Sequence, residues 1–426
     1  MSENYTQMWT DLGLDLDKHD ALLAVLGQAY QDVFLTQKNR PKSMEYFDFV
    51  MSEVHGLRIK EIVDARAEGR PVVGTFCTFV PEELVLAVNG VFVGLCSGAD
   101  FGLESAEKLL PRNTCSLIKS AFGFAIEKVC PYIEASDLIV GENTCDGKKK
   151  SFEQYKDLVK DFYAMDLPQT RSVEGKALLK SEYMRFAKKL EEMSGKKITA
   201  NNLKKAIAIV NKKRAAMHRL SKLRAATPAV ISGLDSLLMN QVYFYDDPIR
   251  FTDSVNKICD ELEERIKSDE AYMDEKAARI VVTGCPMAVP NWKLHSIIES
   301  CGAIVVGDES CVGDRGTQTL TKDNSNTLDG LFDYIVERYQ TIDCAIYTPN
   351  PTREEHIKKM FANTKADGVI QYSLQFCSPY QMEAIPLENT LENKDIPTLR
   401  IDTDYSAEDA EQIRTRIEAF IERIQD

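Results

Sequence analysis

The spacing of hydrophobic positions divides the 426-residue chain into four regions. Residues 1–70 carry apolar side chains three and four apart, among them Leu22, Leu23, Leu26, Tyr30, Val33 and Phe34, the period of helices with one buried face. Residues 71–165 alternate short apolar runs with helical patterns, which predicts βαβ units and a parallel sheet. Within them, Val80-Pro-Glu-Glu-Leu84 reads as a helix start, with Pro and acids in the first turn. Residues 166–270 have almost no strand signal. Leu178, Tyr183, Phe186, Leu190 and Met193 form one helical stripe ended by Gly195, and Leu203, Ile207, Val210, Met217 and Leu220 form a second that ends before Pro228. From 271 to 426 the alternation returns, with strands expected at Arg279–Thr283, Ala303–Gly307, Asp343–Tyr347 and Gly368–Ser373, and a closing amphipathic helix at Ser406–Ile424.

The two alternating regions resemble one another. Asp137-Leu-Ile-Val followed by Cys145 and Glu153 has a counterpart in Asp367-Gly-Val-Ile followed by Cys377 and Glu383, and Val91–Cys96 lies where Ala303–Cys311 lies. The pattern predicts an α/β protein with two Rossmann-like parallel-sheet domains facing one cleft, and additional helical regions.

Several of the eleven cysteines end apolar runs: Cys77 after Val72–Phe76, Cys145 after Asp137–Thr144, Cys285 after Ile280–Gly284, and Cys377 after Val369–Phe376. Ligands of open α/β sheets bind at the carboxyl ends of strands, so thiols delivered there from both halves predict a soft metal centre. A free cysteine is commonly just a small buried residue, which accounts for any one position but not for the repetition. There is no Cys-x-x-Cys, and the closest pair, Cys301 and Cys311, is ten apart. Zinc ribbons and ferredoxin-type cluster runs are thereby excluded. Any metal site must be assembled from distant loops.

Composition narrows the class further. The hydrophobic share of 44% and charged share of 28% are those of a globular protein, and the net charge of −14 argues against nucleic acid. Met1–Asp20 is polar with no apolar signal segment, and the longest apolar stretch, Leu84–Cys96, is too short to span a bilayer. A cytoplasmic protein in a reducing compartment is expected. Gly141–Lys149 imitates a phosphate-binding loop but places five residues between its glycines and Lys149 where a hydroxyl is needed, so no ATP site is expected. The five histidines are scattered and read as surface or capping residues, with His295 the least dismissible because it follows Cys285 closely. Lys148, Lys149 and Lys150 follow Cys145 at an expected helix start, either as a solvated face or as charge facing an anionic group. Arg185–Arg224 carries thirteen basic against two acidic residues. It reads as a solvated basic helix pair, with Lys204, Lys212, Lys213 and Arg214 as candidates for docking an acidic partner.

Gly74-Thr-Phe-Cys77-Thr-Phe-Val-Pro-Glu-Glu-Leu, Leu110-Pro-Arg-Asn-Thr-Cys115-Ser-Leu-Ile-Lys-Ser, Cys130-Pro-Tyr, Cys145-Asp-Gly-Lys-Lys-Lys and Thr283-Gly-Cys285-Pro resemble the 2-hydroxyacyl-CoA dehydratase and benzoyl-CoA reductase family. The resemblance runs from about residue 70 to the C-terminus and is most similar to the double-cubane-cluster-containing anaerobic reductases. It implies one 4Fe–4S cubane on Cys77, Cys115 and Cys377, and a second on Cys145, Cys285 and Cys311, the two joined by a shared sulfide. Cys96 and Cys130 are the alternatives for the second set; Cys259, Cys301 and Cys344 are expected in the core. The resemblance further implies an ATP-hydrolysing iron–sulfur activator protein as electron donor, a small-molecule substrate reduced at the cluster, oxygen sensitivity, and a homodimer. A single-cluster 2-hydroxyacyl-CoA dehydratase subunit and a non-catalytic electron-transfer protein are the alternatives.

Overall fold

A computed structural model describes residues 5–95 and 97–425. Two four-stranded sheets, all parallel, form its frame. The first comprises β1 (Val72–Thr75), β2 (Val91–Gly94), β3 (Leu138–Glu142) and β4 (Phe162–Met165) in the order β2-β1-β3-β4. The second comprises β5 (Arg279–Gly284), β6 (Ile304–Glu309), β7 (Gly368–Leu374) and β8 (Thr398–Thr403) in the order β6-β5-β7-β8. The orders are the same, so β1 corresponds to β5, β2 to β6 and β3 to β7. The internal repeat seen in the sequence is therefore a repeat of topology. Its most specific mark is the aspartate before the third strand. Asp137 Oδ2 accepts from the amide of Val72 at 3.1 Å and Asp367 Oδ2 from that of Arg279 at 2.8 Å, each joining the start of the third strand to the start of the first.

β1, β3, β5, β6 and β7 are buried along their whole length, as strands covered by helices on both faces must be. The four helices Val173–Ser194, Ala200–Leu223, Gly233–Val242 and Pro248–Lys267 fill the region between the sheets in sequence. Gly195 ends the first of them in the left-handed conformation (φ 67°), as its position predicts. The helix Leu328–Tyr339 packs against Val173–Ser194, and Leu331, Ile335 and Tyr339 share one core with Val73, Phe79 and Leu84 of the first half.

Three expectations are corrected. Asp343–Tyr347 is not a strand; the fourth strand of the second sheet is Thr398–Thr403. The run is short and is followed by Pro349 and Pro351, and Ile342, Cys344, Ile346 and Tyr347 bury themselves against the first half instead. The basic helix Ala200–Leu223 is not simply a solvated face. Lys213 and Arg214 are buried and pair with Glu82 (3.0 Å) and Glu83 (2.7 Å), so they cannot dock a partner. The acids expected to favour a helix N-terminus serve as interior counter-charges to another helix. Finally, His19, His55 and His295 are buried; His295 Nε2 meets Asp308 Oδ1 at 2.6 Å, and Asp308 also pairs with Arg224.

Candidate metal centre

The carboxyl ends of the two sheets face one cavity of about 1270 Å³. Cys77 lies two residues past β1 and Cys285 one past β5; Cys145 and Cys377 each lie three past β3 and β7; Cys311 lies two past β6. All five line the cavity, as does Cys115, the N-cap of the helix Ser116–Ile126. All six expected thiols are thus brought to one space. A seventh, Cys344, is buried in the core as expected and also lines the cavity, from the irregular segment that replaces the expected strand. Cys130, at the N-cap of Pro131–Ala135, packs in the core of the first half, and Cys259 and Cys301 lie elsewhere. Cys96 lies outside the described residues.

The thiols form two groups, and the grouping differs from the one the resemblance implies. Cys77 and Cys311 are within hydrogen-bonding reach of each other, with Cys344 beside Cys311. Cys115 reaches Cys377, which in turn reaches Cys285. Cys77 therefore stands with second-sheet thiols and not with Cys115 and Cys377. Hydrogen bonding to Cys311, then burial, pushes the Cys77 thiol well up, while the same bond together with Arg315 holds Cys311 down. Bonding to Cys377, then burial, pushes Cys115 well up. Cys115 pulls Cys377 down, but Cys285 and burial together push it well up. Cys77, Cys115 and Cys377, pushed up in this way, stay protonated unless a soft cation takes the place of their protons, whereas Cys311 is held in the range where it ionises.

Local backbone geometry fixes two of them. Gly284, immediately before Cys285, has φ 137°, and a Cβ there would lie 1.9 Å from the carbonyl oxygen of Tyr372. Only glycine fits. Phe376, immediately before Cys377, is a non-glycine residue at φ 64°, a strained conformation of the kind concentrated at functional sites. Backbone amides point at the sulfurs. Leu374 N–H reaches Cys285 Sγ at 3.4 Å, Leu117 and Ile118 donate to Cys115, and Tyr380 donates to Cys377. Helix N-termini present such donors to anionic centres.

Charged groups beneath the Cys77–Cys311 side went unseen in the sequence. Arg315 is fully buried and donates to Glu309 Oε1 (2.7 Å), to Cys311 Sγ (3.5 Å) and to the Tyr380 hydroxyl. Arg353 donates to the other oxygen of Glu309 (3.1 Å), to Thr283 Oγ1 (2.8 Å) and to Glu383. On the first sheet, buried Glu142 accepts from the amide of Cys77 (3.0 Å) and from Lys148 (3.4 Å). Lys148 and Lys150 both line the cavity, Lys148 half-buried beside Glu142 and Lys150 at its exposed margin in a pair with Glu153. Glu309 and Glu142 both end buried strands, and a carboxylate in that place is the one signal the sequence offered.

The donor set fits an iron–sulfur centre. It is all thiolate, it converges from loops on both sheets, and it is met by N–H donors instead of by carboxylates or imidazoles. Among the described residues no three Cys, His, Asp or Glu side chains are arranged around a single metal ion, and a cubane holds its ligands further apart than one ion does. The chain belongs to the family described as 2-hydroxyglutaryl-CoA dehydratase, D-component, whose model matches residues 77–424. It is 36% identical to the Escherichia coli K12 protein named "Putative dehydratase subunit YjiM", over 88% of this chain and 96% of that one. It is 30% identical to the (R)-phenyllactyl-CoA dehydratase beta subunit of Clostridium sporogenes, over 84% and 92%, and 20% identical to a benzoyl-CoA reductase subunit of Thauera aromatica, over 83% and 91%. Among the described residues no helix is long and apolar enough to cross a membrane.

Proposed function

We propose that this chain is an iron–sulfur reductase in which Cys77, Cys311 and Cys344 hold one cubane, and Cys115, Cys285 and Cys377 hold a second joined to it by sulfide. The single observation that carries the reading is the convergence of two groups of three thiols on one cavity. A cluster of this type supplies low-potential one-electron reduction of a small substrate. The chain's own part is to bury the cluster, to aim N–H donors at its sulfurs, and to admit substrate to the cavity. Tyr380, whose hydroxyl stays protonated because of its burial and lies 3.9 Å from Cys344 Sγ, is placed to donate a hydrogen bond there.

The partner in this reading is an ATP-hydrolysing iron–sulfur activator, since the chain's own loop at Gly141–Lys149 lacks the phosphate-binding pattern. The chain works as a homodimer in the cytoplasm, because one chain supplies all six thiolates. Anaerobic purification with iron and sulfide quantification tests the reading: about eight irons per chain support it, and about four would indicate one cubane. The second reading, a single-cluster 2-hydroxyacyl-CoA dehydratase subunit, is favoured by the names of the relatives. It would be supported by four irons together with activator-dependent dehydration of a 2-hydroxyacyl-CoA.

A further inference from the structure

The surroundings of the two thiol groups differ in charge. On the Cys77–Cys311–Cys344 side, Arg315 and Arg353 share the carboxylate of Glu309, which is wholly buried. Arg353 also pairs with Glu383, which is 21% exposed, so the two guanidiniums are matched by two carboxylates. Within this charge-balanced cluster Arg315 is the member that reaches sulfur, its guanidinium standing 3.5 Å from Cys311 Sγ. The donors that reach Cys115, Cys285 and Cys377 are backbone N–H groups. A charge-assisted hydrogen bond is roughly twice as strong as a neutral one, and a full charge acts further than a peptide dipole in a low-dielectric interior.

Resting on the function proposed above, we propose that Arg315 is a positioning residue for the electron: it makes the two halves of the cluster inequivalent, so that the first electron resides on the half held by Cys77, Cys311 and Cys344. In a titration with titanium(III) citrate, titanium(III) gives up one electron and becomes titanium(IV). That electron is the one Arg315 stabilises, and no bond forms or breaks. The other half is left as the more strongly reducing one.

The test is a potentiometric titration of the iron-loaded full-length protein followed by electron paramagnetic resonance, after iron has been counted. Wild type should show two separate reduction steps. Arg315→Gln should make the first step more negative by at least tenfold in its one-electron equilibrium constant, about 59 mV, while moving the second step less. Arg315→Lys should recover at least half of that shift. Glu309→Gln, which removes the compensating charge and keeps an acceptor for Arg315, should move the first step the opposite way. A purely structural role would not give shifts of opposite sign. An unmoved first step in either Gln variant, or equal movement of both steps, overturns the proposal while the cluster reading stands. If Arg315→Gln does not load iron, Glu309→Gln decides alone. About four irons on wild type overturns the double-cubane reading and this proposal with it.

Discussion

The two sheet domains share a skeleton and differ in what lies beneath their thiols. Strand order, the aspartate bond at the start of the third strand, and the offsets of Cys145 and Cys377 from their strands are the same in both halves. The second half adds Arg315, Glu309 and Arg353 under Cys311, whereas the first has Glu142 and Lys148 beside Cys77. Repetition of a fold places the donor atoms, while the loops that follow the strands set the charge those atoms meet. The two properties can be altered separately.

The largest effect is expected from removing one thiol of each group. Cys77→Ser and Cys377→Ser should each lower the iron content from about eight to about four per chain and abolish activator-dependent turnover. In the same measurement Cys344→Ser should lose iron and Cys145→Ser should retain it. The reverse result would put Cys145 in the ligand set, as the resemblance implied. Next come the buried pairs that anchor the helix following Cys77. Arg214→Ala takes from buried Glu83 its ion-pair partner, leaving it the Tyr339 and Thr321 hydroxyls and the charge of Arg338, and should cost about 3 kcal/mol in chemical denaturation. Gly284→Ala should cost about 1–3 kcal/mol from backbone strain alone, with further loss from the clash on Tyr372, and should lower iron binding at Cys285 specifically.

Acidity probes the same anchor. Burial pushes Glu83 up, but Arg214 and Arg338 outweigh it and hold the carboxyl at about 2. A depressed carboxylate contributes stability that is complete above its unfolded value of about 4.5 and disappears as pH falls toward 2. Unfolding midpoints across that window should fall more steeply for wild type than for Glu83→Gln. If the two curves run parallel, the pair does not govern acid stability. The smallest effect is expected at Lys204, which bonds Asn326 at the surface: Lys204→Glu should change stability by no more than about 0.5 kcal/mol.

Much of this was legible in the sequence because period and position carry it. Buried parallel strands are continuous apolar runs, Gly195 stops a helix by its conformation, and a cysteine at the end of such a run must lie near the cleft. The segment Asp343–Tyr347 was misread as a strand because a short, mostly apolar run reads alike whether it joins a sheet or packs against the opposite domain, and the prolines after it were the cue against a strand. Arg315 and Lys213 were invisible for another reason. A buried cation is specified by its counter-charge, and Glu309 and Glu82 lie at separations no local period encodes. The grouping of the thiols was hidden likewise, because it depends on how the two halves face each other.

Gly284 and Phe376 have a consequence for how the centre is built. The bend at Gly284 is held by the neighbouring strand, since the Tyr372 carbonyl closes over it and accepts from the amide of Cys285 at 3.0 Å. The bend at Phe376 is closed by the amide of Cys377 donating to Leu374 O, also at 3.0 Å. Polypeptide contacts alone therefore aim these two thiols, and the cradle is cast by the sheet and not by what fills it. On the function proposed above, a cluster would be inserted between thiols that the sheet itself aims. The cradle is also open to a competing fate, since thiols held within reach of one another need only an oxidant to join. In that reading, metal before air is the order of assembly that leads to an active chain.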